Sequence, residues 1–181
     1  FRNKHWHVTT GFYWGPSTVA KAENADVADD GIITAPLSGK AVKLENVPDQ
    51  TFAQGILGLG AAIEPTEGKV VAPGDGKVET LFDTFHAVGL TLDNGKELLI
   101  HVGINTVELK GEGFKAYVSE GDRVTKGQTL ITFDMDVIKS KGYQTITPFL
   151  VGNSDEFASV EELAEEGTEV TIGDKLIKVN A

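Results

Sequence analysis

The chain has 181 residues, enough to bury one good core and leave an appendage. Its net charge of −11 leaves nothing to neutralise phosphates, which excludes general nucleic-acid binding. It has no cysteine, so disulfides and a cysteine nucleophile are excluded, and no apolar run of about 18 residues provides a membrane-spanning helix.

Residues 1–16, FRNKHWHVTTGFYWGP, are aromatic and basic and lack the apolar core of a signal peptide. His5 and His7 have the H-x-H spacing of metal ligands, but no further ligand is near, and the stretch reads as the end of a preceding domain or a junction. Residues 17–30 are rich in Ala, Asp and Glu without alternation and read as a solvated linker. Residues 1–30 are therefore expected to be an extension, and 31–181 the folded domain.

From residue 31 short apolar segments alternate with Gly, Pro and Asp. Strands are predicted at 32–34, 40–45, 61–63, 69–72, 77–82, 128–133, 146–151, 169–172 and 175–179. Strands this short, with turn chemistry roughly every ten residues, predict an all-β sandwich or barrel-like fold with very short helices. A weak internal echo, APLSGKAV at 35–42 against APGDGKV at 72–78, suggests duplication. Ser159 followed by Glu162 fits a capping box and predicts a short helix to about Glu165, stopped by Gly167. A single turn is also predicted over 136–141.

His86 and His101 lie on either side of the turn signal Asp93-Asn94-Gly95. Residues 85–92 and 96–104, rich in Val, Ile, Leu and Phe, predict two strands joined by a tight hairpin. With Asn94-Gly95 as the loop, His101 stands opposite Val88 and diagonal to His86. With Asp93-Asn94 as the loop, the two histidines pair directly. Both registers put them on one face, together with Leu90, Leu92 and Leu99 in the Asn-Gly case. A three-residue loop without a bulge would put them on opposite faces. A facing pair of imidazoles suits a phosphoryl acceptor, a metal site or an acid/base pair.

Other stretches carry less. GILGLG at 55–60 has spaced glycines but no following βαβ unit, and reads as a turn. GEGF at 111–114 fits an anion nest or simply a bent connection. DRVTKGQTLITF at 122–133 is similar to a biotinyl or lipoyl swinging-arm domain. The modified lysine of such a domain has no counterpart in Asp134-Met135-Asp136, which argues against that activity.

The stretch GKELLIHVGINTV at 95–107 resembles the active-site signature of the glucose/β-glucoside-type enzyme IIA domains of the bacterial phosphoenolpyruvate-dependent sugar phosphotransferase system. Further blocks agree in order: APLSG at 35–39, VPD at 47–49, VAP at 71–73, TFHA at 84–87, ELKGEGF at 108–114, EGDRV at 120–124, Pro148 and NSD at 153–155. The likeness covers about residues 31–179.

That resemblance implies an antiparallel β-sandwich with both histidines in a shallow apolar depression. It implies His101 as phosphoryl acceptor, His86 as the neighbour holding the phosphoryl oxygens, and Thr84 as a hydroxyl bonded to the pair. A nucleophilic imidazole must be neutral, with one nitrogen free and the other donating its hydrogen, here to the Gly103 carbonyl. His86 would supply a donor, and its partial protonation would offset phosphoryl charge. Phe52, Phe82, Leu99 and Val107 are expected as an apolar docking rim, with Asp49, Asn105 and Asp155 as its polar part. Position 105 is commonly Asp in the family, so Asn105 removes a charge that would attract the phosphocarrier HPr.

The implied partners are HPr and a IIB domain, the latter separate or in the same polypeptide. The implied place is the cytoplasm, tethered to a membrane permease but without direct membrane contact by this domain. No cofactor is implied beyond the phosphoryl group itself, and zinc only as an adventitious ion. A regulatory IIA-like domain of a transporter, phosphorylated without onward transfer, is a second reading. A zinc-dependent hydrolase using His86, His101 and a carboxylate is a third.

Overall fold

Apolar segments of two to seven residues, cut by Gly, Pro and Asp, can satisfy their backbone groups only by pairing with one another. In the computed structural model, which describes residues 30–181, fourteen such segments do so. The readings made for residues 1–29, including the His5/His7 spacing, lie outside the described residues.

The strands are β1 (Ile32–Thr34), β2 (Gly39–Lys43), β3 (Leu59–Pro65), β4 (Lys69–Val71), β5 (Gly76–Leu81), β6 (Ala87–Leu92) and β7 (Glu97–His101). They continue with β8 (Phe114–Ala116), β9 (Arg123–Val124), β10 (Thr129–Phe133), β11 (Thr147–Val151), β12 (Ser159–Glu162), β13 (Glu169–Val170) and β14 (Lys175–Asn180). One eight-stranded sheet runs β13-β2-β3-β11-β7-β6-β5-β9, and two three-stranded sheets run β1-β14-β12 and β4-β10-β8. The strand pairs are antiparallel, as the sequence predicts. Among the described residues no helix is long and apolar enough to cross a membrane.

The order is its own mirror. Exchanging β13 with β9, β2 with β5, β3 with β6 and β11 with β7 reverses the large sheet into itself. The same exchange carries β1-β14-β12 onto β4-β10-β8. The echo at 35–42 and 72–78 opens the two halves. A second echo closes them: EGDRVTKGQTLITF at 120–133 and EGTEVTIGDKLIKV at 166–179 share Glu, Gly, Val, Thr, Gly, Leu and Ile in step. The likeness of 122–133 to a swinging-arm domain thus belongs to a structural unit used twice. Gly39 and Gly76 are equivalent in this scheme for a steric reason. A Cβ on either would run into a neighbouring strand's carbonyl, that of Glu64 or Thr91.

Two apolar clusters hold the layers. The larger fills the sandwich, with Val88, Leu90, Leu98, Ile100, Leu130, Ile131 and Phe149 essentially sealed from solvent. The smaller lies on the other face of the large sheet, where Leu44, Val47 and Phe52 cover Ala62, Ile104, Ile146 and Leu150. Phe52 reaches that face from a short helix, α1 (Gln50–Ala53), capped by the Asp49 carboxylate accepting from the Thr51 N–H. The turn expected at 136–141 is α2 (Met135–Ser140), capped by Asp134.

The helix predicted from Ser159 is not formed. That stretch is strand β12, with Val160 opposite Val179 and Glu161 opposite Lys178. The capping glutamate is engaged elsewhere: Glu162 accepts from the Leu44 N–H at 2.9 Å. Asn180 bonds Ser159 and Glu161 from β14, so cross-strand partners outcompete the local cap. Among the predicted strands, 40–45 ends early because residues 44–46 coil into a 3-10 turn.

Candidate functional site

The hairpin of β6 and β7 carries the histidines, but in a register the sequence reading did not favour. Ala87 pairs with His101, Val88 with Ile100 and Thr91 with Glu97, around a three-residue turn Asp93-Asn94-Gly95. Gly95 has φ +90°, the left-handed conformation that such a loop requires at its last residue. Leu90 and Leu92 consequently lie in the main core, and only Leu99 shares the face of His101.

This register alone would part the histidines. His86 stands level with Val102, whose N–H donates to the His86 carbonyl at 2.7 Å, so regular alternation would aim its ring away from His101. Strand β6, however, begins only at Ala87. Ahead of it the chain makes a tight turn in which the Phe85 N–H donates to the Phe82 carbonyl and the Phe82 N–H to that of Ala87. Phe85 adopts φ +58° there, and His86 leaves the turn with its ring against His101. The ring centroids are 4.8 Å apart and nearly perpendicular, at 83°.

Each ring is fixed at one nitrogen. His101 Nδ1 lies 2.8 Å from the Gly103 carbonyl, which can only accept, so Nδ1 carries the hydrogen and Nε2 keeps its lone pair. Gly103 has φ +81°, and a Cβ there would strike the Thr106 methyl and approach the Gln144 carbonyl to 2.8 Å. Thr106 is fully buried and its hydroxyl donates to the Val102 carbonyl at 2.5 Å, closing the turn that presents Gly103. Sequence reasoning missed Thr106, although a threonine just past a glycine-bearing strand end is a usual turn-locking residue. Thr84 Oγ1 stands 2.5 Å from His86 Nδ1.

Burial sets the charge state of the pair. The His86 pKa is lowered to about 4, first by removal from water and then by the neighbouring His101. The His101 pKa is also lowered by burial, opposed by the Gly103 hydrogen bond and then by the charge of Asp49. Both imidazoles are therefore neutral at pH 7. The partial protonation of His86 expected from the sequence does not hold for the free protein.

The remaining predicted residues divide. Phe82 is 40% exposed, with its ring edge-on to His86 at 5.3 Å, and Val107 is 46% exposed. With the half-buried Leu99 they form an apolar rim. Phe52 is 5% exposed and lies 4.8 Å from the His101 ring, so it is a wall of the depression and not part of its rim. Asn105 is exposed and adopts φ +61° ahead of the 3-10 turn Thr106–Leu109, a conformation that short polar residues tolerate. Asp155 is not brought to the histidines. It lies in the 3-10 turn after β11, where neighbouring Asn153 binds the Gly95 carbonyl and the Glu97 N–H at the opposite end of β7. The mirrored topology explains this, because the turns that follow β7 and β11 occupy opposite ends of the sheet. Among the described residues no group of three or more His, Cys, Asp or Glu side chains could hold a metal ion.

Comparison with known proteins points to one family. The model of a family described as phosphoenolpyruvate-dependent sugar phosphotransferase system, EIIA 1, matches residues 31–157. The chain is 46% identical over 155 residues to a glucose-specific EIIA component from Halalkalibacterium halodurans, covering 86% of this chain and 89% of that one. It is 47% identical over 135 residues to the component of the same name from Staphylococcus aureus, covering 75% and 81%. Among solved structures it is similar to a glucose permease IIA from Mycoplasma capricolum, with a TM-score of 0.71 and 32% identity over 81% of this chain and 93% of that one.

Proposed function

The chain belongs to the EIIA 1 family of the phosphoenolpyruvate-dependent sugar phosphotransferase system, and from that premise we propose that His101 Nε2 receives a phosphoryl group from phospho-HPr and hands it to a IIB domain. The observation that carries this reading is the His101 ring itself: neutral, its Nδ1 hydrogen given to the Gly103 carbonyl, its Nε2 left as the nucleophile.

The transfer needs no general base. The N–P bond of the donor phosphohistidine breaks as the P–Nε2 bond forms in line, and the Nδ1 hydrogen of His101 stays in place. The phosphorylated ring is then formally cationic. The Gly103 carbonyl and the Asp49 carboxylate, which already favour positive charge on His101, stabilise that product. With Thr84 donating to His86 Nδ1, the His86 Nε2–H is free to bond a phosphoryl oxygen beside His101. Phe52, Phe82, Leu99 and Val107 keep water from the labile link and offer a docking partner no competing nucleophile.

All of these groups lie within residues 31–181, which suffice for phosphoryl acceptance in this reading. The chain acts in the cytoplasm, at the inner face of the membrane when joined to a permease. No cofactor takes part, and zinc held by the two histidines is adventitious, so chelator leaves transfer unchanged. Incubation with labelled phosphoenolpyruvate, enzyme I and HPr tests the proposal: the chain takes up one phosphoryl group, and His101→Ala takes up none. Stoichiometric labelling of that variant would overturn it.

A further inference from the structure

The hairpin register and the histidine contact conflict unless one residue resolves them. Ala87 and His101 are paired, so a regular strand through residue 86 would turn His86 away from its partner. Three observations locate the correction at Phe85. Its φ is +58°, a region that a bulky side chain avoids. Its N–H closes on the Phe82 carbonyl at 2.7 Å while the Phe82 N–H reaches the Ala87 carbonyl at 3.1 Å, so the turn around it is tied at both ends. Its ring packs against the main core, on the side away from the histidine depression.

We propose that Phe85 is a positioning residue, whose left-handed backbone, tied at both ends, aims His86 at the phosphoryl site beside His101. This rests on the carrier reading above and adds to it a residue that touches neither the phosphoryl group nor His101. A conformation that Phe adopts only under constraint is held because it serves the site. Relaxed to an extended conformation, residue 85 would restore alternation, taking the His86 ring out of contact with His101 and Phe82 and onto the face of Val88 and Leu90.

The test separates backbone from ring. Phe85→Ile keeps apolar bulk but is β-branched and poorly tolerated at positive φ, whereas Phe85→Asn loses the ring but accepts that φ. The contact of the His86 and His101 rings is read by NMR cross-peaks between them, and phosphoryl transfer from His101 to a IIB domain by rapid quench. With Ile the cross-peaks between the two rings are expected to be lost, and transfer to fall about tenfold or more. With Asn both are expected to stay near those of the unaltered protein. Should the Ile variant not fold, Phe85→Ala replaces it: Ala and Asn both delete the ring, but only Asn is at ease at positive φ. Ring cross-peaks that persist in the Ile variant, or equal behaviour of Ala and Asn, would overturn the proposal. The ring contact is read without phosphate, so it stands apart from His101 labelling of the unaltered protein, whose failure would sink the carrier reading instead.

Discussion

The rings of His86 and His101 meet at 4.8 Å although the residue paired with His101 in the sheet is Ala87. Two histidines on adjacent strands are usually brought together by register alone. Here a positive φ at Phe85 does it, and the geometry that follows is perpendicular and close. One ring can thus present its edge donor where the other presents its lone pair. It also puts His86 where burial first, and then the neighbouring His101, disfavours a charge on its ring.

That burial gives the first expected result. His86 binds a proton near pH 4 when folded and near 6.5 when unfolded, so between these values the unfolded chain binds more protons. Its contribution to stability is complete above about pH 6.5 and is lost as pH falls toward 4. Denaturant midpoints measured from pH 7.5 down to 4.5 should fall more steeply for the unaltered protein than for His86→Gln. Identical slopes would show that His86 is not held neutral.

His86→Gln also tests the division of labour. Glutamine keeps a donor but not the imidazole geometry or the Thr84 bond at the same atom. Phosphoryl acceptance on His101 should persist, while onward transfer slows by roughly 10²-fold, the usual effect of removing one transition-state donor. Loss of acceptance with intact folding would mean that the two histidines have the opposite roles. Single-turnover rates in each direction distinguish the cases.

The support beneath His101 is equally open to test. In Gly103→Ala the new methyl would strike Thr106 and the Gln144 carbonyl at a residue held at φ +81°. The turn should open, at a stability cost of about 2 kcal/mol or more, and the Nδ1 hydrogen should lose its acceptor. Acceptance should fall further than stability explains, because the other tautomer places a hydrogen on the nucleophilic nitrogen. Nitrogen-15 shifts of the His101 ring report which nitrogen is protonated. An unchanged tautomer would mean that the carbonyl does not select it.

Much of this was legible in the sequence. Turn spacing and short apolar runs narrowed the fold to an all-β sandwich or barrel, the family likeness to the sandwich, and the His101–Gly103 contact was predicted from the need of a nucleophilic imidazole for one free nitrogen. The hairpin register was not, because Asp93-Asn94-Gly95 supports a two- or a three-residue turn and only packing of Leu90 and Leu92 into the core decides between them. Glu162 looked like a helix cap because its true partner, the Leu44 N–H, is 118 positions away in the chain. Asp155 was grouped with the site by family likeness, whereas the pseudo-symmetric sheet carries it to the other end. Phe85 gave no signal, since nothing about a phenylalanine announces a positive φ.

The last prediction concerns docking and rests on Asn105. The resemblance implies Asp at this position, and the structure shows why the change is tolerated. The backbone needs a residue content at φ +61°, the side chain makes no cap hydrogen bond, and the residue is exposed. Asn and Asp meet these demands alike and differ in charge alone. An added carboxylate beside the apolar rim of Phe82, Leu99 and Val107 would strengthen the pull on a basic partner face and act mainly on the association rate. Asn105→Asp should therefore quicken phosphoryl transfer from HPr several-fold at low ionic strength. The gain should vanish near ~1 M salt, where the screening length is about 3 Å. Slower transfer in the variant would indicate a partner surface matched to the neutral residue. An effect that persists unchanged across the salt series would rule out steering and place the difference in the bound complex. Rapid-mixing rates for the two proteins, taken with the same HPr from low to high salt, separate these outcomes.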